Sequence, residues 1–255
     1  MTTTTLLKVA LAPALILLAT LAGRRWGPGI GGWLAGLPLT SGPTSLVLAL
    51  EHGPEFAARA ALGTLFGLVS LALFSLAYGM AAARTGWLGS LLAALGAFVA
   101  STAVFRGAAW PLPAAFALAC GSLAAVGAAM PAPAGARPPP RLLPGDLALR
   151  MTLAAAIVLA LTSAAESLGP ALAGSLSPIP VFGALLATFA HRDQGPPAAV
   201  RLLRGMVLGS FGFATFLLVV GAGLSRLGVV LTYTLAAAGA LGVHGLTLAV
   251  VRRLA

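Results

Sequence analysis

Long apolar runs alternate with short polar or Gly-Pro breaks along almost the whole chain. Each run holds roughly 20 residues or more, which is the length that a helix needs to cross the hydrocarbon core of a membrane. Charged residues mark the ends of the runs. The pattern predicts an all-α integral membrane protein with about nine transmembrane helices, over residues 5–23, 28–50, 56–83, 86–105, 108–130, 147–165, 170–190, 197–224 and 227–250.

Composition and charge support a membrane protein. Hydrophobic residues make up 59% of the chain, charged residues only 8%, and the mean hydropathy is +1.02, which excludes an ordinary soluble domain. The net charge of +10 comes from basic residues that stand singly or in small groups between apolar runs, so they are typical of topology signals. We therefore expect the lipid bilayer, and no nucleic acid, as a partner. Cys120 is the single cysteine, which excludes an intrachain disulfide.

An internal repeat appears when the chain is shifted by 142 residues without a gap. Matches of Gly-Pro pairs and arginines in one register are hard to obtain by chance, so we expect a duplication. The matched positions include Lys8 with Arg150, Thr20 with Thr162, Pro38 with Pro180, Gly53-Pro54 with Gly195-Pro196, Arg59 with Arg201, Gly63 with Gly205, and Gly67 with Gly209. The predicted organisation is a four-helix repeat over residues 1–105, an extra transmembrane helix and Pro-rich linker over 106–146, and a second four-helix repeat over 147–255.

The extra helix sets the orientation of the second repeat. Five spans precede the second copy, so it enters the membrane from the opposite side and the two repeats are inverted. On this topology one side holds eleven basic residues and the other only four, Lys8, Arg59, Arg106 and Arg226. The excess of positive charge inside predicts a multi-pass protein of a bacterial-type inner (cytoplasmic) membrane, with its amino terminus outside and its carboxyl terminus cytoplasmic. A parallel repeat of eight spans is the alternative.

Two apolar segments at corresponding positions are interrupted by prolines: "LAGLPLTSGPTSLVLAL" at 34–50 and "LSPIPVFGALLATFAHR" at 176–192. Backbone groups freed by proline are tolerated in a membrane only where protein or a water-filled cavity surrounds them. Paired interruptions of inverted halves are typical of transporter binding sites. The alternative is that the prolines serve packing and that the hydroxyls bond to their own helices. The candidate binding residues are Pro38, Thr40, Ser41, Thr44, Ser177, Pro178, Pro180 and Thr188.

Each broken segment is followed by ionisable residues. Such residues near a membrane interior indicate a functional role, although a solvated loop is the alternative. The candidates for a gating or charged rim are Glu51, His52, Arg59, His191, Asp193 and Arg201.

The sequence contains no recognisable arrangement of catalytic residues. None of the five acidic residues falls in the middle of a predicted span, and the sequence lacks a Walker A loop, a zinc-type helix and a nucleophile elbow. We therefore expect no enzyme activity, no cofactor and no metal site. The motifs "GTLFG" at 63–67 and "GMVLG" at 205–209 indicate close helix approach.

The segments "LLKVALAPALILLATLAGRR", "LAGLPLTS" and "AARAALGTLFGLVSLALF" resemble the small four-span inner-membrane proteins of the GlpM type. The second copy, with "PIPVFGALLATFAHRDQG", resembles the same unit more weakly. The resemblance implies a duplicated GlpM-like inner-membrane protein of poorly defined activity, in a group of which one branch is linked by name to alginate production. It supplies no catalytic residue.

Two functions fit these patterns. The first is a small secondary transporter or permease that moves a small-molecule substrate through a site between the two Pro-broken helices. The second is a non-transporting membrane scaffold or accessory factor, for example for envelope polysaccharide export. A polar cavity that reaches the breaks favours the transporter, and a solidly packed interior favours the scaffold. The sequence leaves the substrate, the coupling ion and the oligomeric state open.

Overall fold

The computed structural model describes residues 3–105, 107, 110–131, 135, 145–168 and 180–254. Within these ranges the chain is helical and contains no strand. The helices are α1 Thr3–Trp26, α2 Pro28–Ala35, α3 Ser41–His52, α4 Pro54–Ala82, α5 Trp87–Val104, α6 Leu112–Ala129, α7 Asp146–Leu168, α8 Val181–Gln194 and α9 Pro196–Leu254. Gly228, with φ 73° and ψ 172°, divides α9 into α9a, residues 196–227, and α9b, residues 229–254.

Four helices in the described part of the chain are long and apolar enough to cross a membrane: Pro54–Ala82, Trp87–Val104, Leu112–Ala129 and Pro196–Val251. Large apolar side chains on their outer faces are exposed, as lipid contact requires. Val230, for example, is 82% exposed and Leu246 is 74% exposed. The protein is therefore all-helical and membrane-embedded, while the finer count of nine spans stays a prediction. The predicted span over 28–50 is interrupted between α2 and α3, where its prolines and glycines indicate a break.

Helix boundaries recur at the 142-residue spacing of the sequence repeat. Helix α3 ends at His52 and α8 at Gln194, while α4 begins at Pro54 and α9 at Pro196. The glycines between them share one backbone conformation, with φ 90° and ψ 164° at Gly53 and φ 88° and ψ 174° at Gly195. Only glycine adopts this conformation without strain. The two Gly-Pro pairs are therefore equivalent helix starts.

Two pairs of helices, α1 with α7 and α4 with α9a, pack antiparallel. The last turns of α1 and the first turns of α7 line the same crevice through Thr20 and Arg150, so these two helices are antiparallel. The last turn of α4 lies beside the first turn of α9, because Gly79 approaches Val200. We call the end of the bundle where these contacts lie the basic end; its arginines are Arg24, Arg150, Arg192, Arg201 and Arg204.

The core is built around the long helices α4 and α9a. One cluster of buried side chains contains Phe74, Tyr78 and Leu203, and a second contains Leu65 and Phe216. Both clusters draw residues from α4 and from α9, so this antiparallel pair forms the centre of the bundle.

Glycines allow α2 to lie directly on α9a. A methyl group at Gly32 would overlap the carbonyl oxygen of Leu202, and one at Gly205 would overlap that of Gly29. The "GMVLG" motif therefore serves close helix approach, with α2 as its partner. Its counterpart in "GTLFG" differs, because a methyl group at Gly63 would meet no atom within 4 Å.

Candidate functional site

The first predicted break is present in the structure. Helix α2 ends at Ala35 and α3 begins at Ser41, with Pro38 between them. The Pro38 carbonyl accepts a hydrogen bond from the Gly42 amide at 2.7 Å, so it is used locally to start α3. The Pro38 carbonyl is therefore satisfied by a backbone amide of the protein itself.

The hydroxyls of this segment are used within the protein. Thr44 is buried, and its Oγ1 donates to the Thr40 carbonyl at 2.7 Å, one turn back along α3. Thr40 and Ser41 are half-buried. Ser45, which belongs to the same group of hydroxyl residues in the sequence, shares a 2.7 Å hydrogen bond with the Tyr233 hydroxyl on α9b. Back-bonding of this kind is the packing alternative for Thr44.

The second break lies partly outside the described residues. Pro180 caps α8, and its carbonyl accepts a hydrogen bond from the Ala184 amide at 2.8 Å. Ser177 and Pro178 lie outside the described residues. Thr188 is half-buried on α8 and faces the Tyr78 hydroxyl of α4.

Met206 of α9a lies between the two breaks. A methyl group on Gly36, two residues before Pro38, would lie 2.8 Å from the Met206 carbonyl oxygen. One on Gly183, three residues after Pro180, would lie 2.8 Å from Met206 Cε. Met206 is only 2% exposed. The two broken segments therefore approach the same residue, the first at its backbone carbonyl and the second at its buried side chain.

The candidate rim residues of the first half do not join those of the second. Glu51, His52 and Arg59 are exposed, and His52 stacks on Phe56 with ring centroids 5.0 Å apart. Glu51 and His52 lie in the last turn of α3 and Arg59 lies in α4. Ser45 of α3 contacts Tyr233 of α9b, remote from the basic end. The solvated-loop interpretation therefore fits these three residues.

Of the rim residues of the second half, Asp193 belongs to a polar cluster at the basic end, and His191 has a separate partner. Asp193 accepts a hydrogen bond from Arg150 of α7, and Arg150 also bonds to Asp146 at 2.9 Å. Arg150 is only 6% exposed, and its guanidinium lies 4.3 Å from the centre of the Phe189 ring. His191 is buried, with Nδ1 3.3 Å from the Tyr78 hydroxyl. Arg201 is half-buried in the second turn of α9.

Sequence reasoning missed Arg150 as a member of this cluster. Its partner Asp193 lies 43 residues away in the chain, which no local pattern reveals. The four-residue spacing between Asp146 and Arg150 is a signal that could have found half of the cluster.

A crevice of about 30 Å³ lies beside this cluster. Its walls come from the end of α1, the starts of α2, α7 and α9, and the end of α8. The polar side chains that line it belong to Thr20, Arg24, Arg150, Asp193 and Gln194. Among the described residues, no group of three histidine, cysteine or acidic side chains has a metal-binding arrangement.

Comparison with known proteins identifies no relative. No family model, curated protein or solved structure matches the chain.

Proposed function

We propose that the chain is a small secondary transporter or permease whose substrate passes between the two Pro-broken segments. The observation that carries this proposal is the convergence of Gly36 and Gly183 on Met206. Interrupted helices that meet near the middle of a bundle provide the half-helix ends that transporters use to bind small polar solutes. Because the Met206 side chain is buried and lies against Gly183 at the second break, the structure corresponds to a closed state on this account.

The proposed architecture is two inverted four-helix halves with α6 between them, which gives nine spans when α2 and α3 count as one. It is supported by the antiparallel contacts of α1 with α7 and of α4 with α9a. A parallel repeat would place corresponding helices in the same direction. The recurring Gly-Pro helix starts at Pro54 and Pro196 also support the duplication.

The proposed location is a bacterial-type inner membrane, with the basic end in the cytoplasm. The arginines of the basic end belong to the eleven basic residues that sequence counting places on one side. The amino terminus is then outside and the carboxyl terminus cytoplasmic. The resemblance to GlpM-type proteins is in agreement with this location and remains part of the proposal.

The test replaces the two prolines that interrupt the segments. Alanine favours a helix interior by about 3 kcal/mol over proline, so Pro38→Ala and Pro180→Ala should straighten the chain locally. Pro113→Ala is the matched control, because Pro113 is exposed in the first turn of α6. Abundance and monodispersity in detergent are measured first.

Transport is then measured in proteoliposomes by stopped-flow light scattering with glycerol, urea, glycine, sodium acetate and sodium phosphate as probes. We expect faster flux than in empty liposomes for at least one probe, reduced by Pro38→Ala and Pro180→Ala but not by Pro113→Ala. The transporter proposal fails if no probe crosses faster, or if both variants transport at the parental rate.

The scaffold remains the second candidate because one observation favours it. Helix α2 lies on α9a with glycine backbones in direct contact, which indicates a firmly packed interior. A scaffold predicts that Pro38→Ala and Pro180→Ala lower abundance and leave every measured flux unchanged.

A further inference from the structure

The crevice at the basic end contains a buried hydroxyl that has no hydrogen-bond partner. Thr20 is 7% exposed, and its Oγ1 has no partner within the described part of the chain. Several helical threonines bond to the carbonyl four residues back, as Thr64 does to Ala60 at 2.8 Å and Thr215 to Phe211 at 3.0 Å. Thr20 does not, and it lines the crevice instead. A buried hydroxyl without a partner is costly, so the crevice is expected to supply one.

The size and the lining of the crevice fit water. A cavity needs about 10–15 Å³ of this volume to hold one water molecule, and the crevice offers about 30 Å³. Asp193 and Gln194 provide further polar groups on its wall. A water molecule requires two to four such partners. The crevice therefore has room and hydrogen-bonding groups for about two water molecules.

Two residues that line the crevice lie near the two breaks along their helices. Leu202 on its wall precedes Met206 by four residues, which is about one turn of α9a, or about 6 Å along the helix axis. Leu186 on its wall likewise follows Gly183 by one turn of α8. The wall of the crevice thus includes residues one helical turn from Met206 and from Gly183.

The ion pair between Arg150 and Asp193 closes one side of the crevice. It joins α7 to α8, and the guanidinium is held in place by Asp146 and by the ring of Phe189. Because both partners line the crevice, separation of α7 from α8 would widen it.

We propose that this crevice is a hydrated vestibule in which water hydrogen-bonds to Thr20, and that the Arg150–Asp193 pair limits its width. Its use as the entrance for a small polar solute rests on the proposed transport function. The hydration of the crevice does not depend on the transport function, so hydration and solute entry are tested separately.

The first experiment measures thiol accessibility. Cys120→Ala removes the single cysteine, and Thr20→Cys or Thr232→Cys is then introduced. Thr232 is the matched control, because it is fully buried and its Oγ1 also has no partner among the described residues, but it packs against Gly223 and does not line the crevice. Right-side-out and inside-out vesicles are treated with a membrane-impermeant cationic or anionic methanethiosulfonate reagent.

We expect the reagents to modify Thr20→Cys about tenfold or more faster than Thr232→Cys, because one thiol meets water directly and the other only after local opening. Modification should occur from the same face as that of Arg25→Cys, at the exposed end of α1. If Thr20→Cys does not fold, Gln194→Cys on the same crevice replaces it. Modification of Thr20→Cys as slow as that of Thr232→Cys would overturn the proposal. So would modification of Thr20→Cys from the membrane face on which Glu51→Cys reacts.

The second experiment weakens the ion pair. Asp193→Asn should speed modification of Thr20→Cys by both the cationic and the anionic reagent, because a wider vestibule admits either. Glu55→Gln, at an exposed acid on α4, is the control that should change neither rate. Rates that change in opposite directions for the two reagents would show an effect of charge alone and would overturn the role of the pair.

Flux is measured in the same proteoliposomes to separate the two proposals. An accessible Thr20→Cys thiol in a protein that transports none of the probes supports the vestibule and contradicts the transporter. A protein that transports a probe while Thr20→Cys stays as unreactive as Thr232→Cys supports the transporter and contradicts the vestibule.

Discussion

Trp33 stacks on His244, with ring centroids 3.9 Å apart and ring planes inclined by 25°. Trp33 Nε1 also donates a hydrogen bond to Thr247 Oγ1 at 3.0 Å, and His244 Nδ1 lies 3.2 Å from the Gly209 carbonyl oxygen. These contacts hold the short helix α2 between α9a and α9b. The first broken segment is therefore fixed to the second half of the chain rather than to its own half alone.

This stack leads to the first prediction. Trp33→Ala should lower the free energy of unfolding by about 3 kcal/mol, because it removes a large side chain from a packed contact and leaves a cavity. Trp33→Phe keeps the stacked ring and loses only the hydrogen bond, so about 1 kcal/mol is expected. The measurement is thermal unfolding in detergent, with Trp26→Ala as the control, because Trp26 is 59% exposed. An equal loss of stability in Trp26→Ala and Trp33→Ala would contradict the stabilising role of the contact between Trp33 and His244.

The second prediction compares two glycines at the 142-residue spacing. Gly205→Ala should destabilise the protein by about 1–3 kcal/mol, because the added methyl group would overlap the Gly29 carbonyl oxygen and force α2 away from α9a. Gly63→Ala should be neutral or stabilising by up to about 1 kcal/mol, because its methyl group enters open space and alanine favours helix. Melting temperatures in one detergent test both. Similar losses at the two positions would show that α2 does not approach α9a as closely as described.

The third prediction concerns the end of α6. Arg204 donates hydrogen bonds to the carbonyls of Gly127, Met130 and Pro131, at 3.3, 3.4 and 3.1 Å. Gly127 lies in the last turn of α6, and Met130 and Pro131 follow it. The last carbonyls of a helix have no intrahelical amide partner. Arg204→Gln should therefore speed amide hydrogen exchange in the last turn of α6.

Arg201→Gln is the matched control for the third prediction, because Arg201 lies one turn earlier on the same helix and is also half-buried. Mass spectrometry of peptides that cover residues 123–130 gives the exchange rates. Unchanged exchange in Arg204→Gln, or equal acceleration in both variants, would contradict the capping role.

Helix positions follow closely from the sequence because Gly-Pro pairs stop one helix and start the next. The run predicted at 56–83 is α4, Pro54–Ala82, and the run at 86–105 contains α5, Trp87–Val104. The interruption at Pro38 also appears where its proline and glycines indicate it. These features depend on local backbone chemistry, which is visible in a few consecutive residues.

Contacts between side chains on helices that are distant in the chain could not be predicted from local sequence. The role of Met206 depends on which helices pass between the breaks, and a methionine in an apolar run carries no mark of that position. The Thr44 hydroxyl, a predicted ligand group, donates to the Thr40 carbonyl, and a ligand role for it stays a prediction. Thr20 has the same residue type and similar burial but lines a crevice, a difference that only the packing of α1 against α7 and α8 creates.

The central claim is that two inverted halves place corresponding segments on opposite sides of the membrane. The most direct measurement is sided labelling of Glu51→Cys, Arg25→Cys and Arg192→Cys in a Cys120→Ala chain, in oriented vesicles with an impermeant maleimide. All three positions are exposed, and Glu51 and Arg192 follow corresponding broken segments. The account predicts that Arg25→Cys and Arg192→Cys are labelled from the cytoplasmic face and Glu51→Cys from the outer face. Labelling of Glu51→Cys and Arg192→Cys from the same face would contradict it.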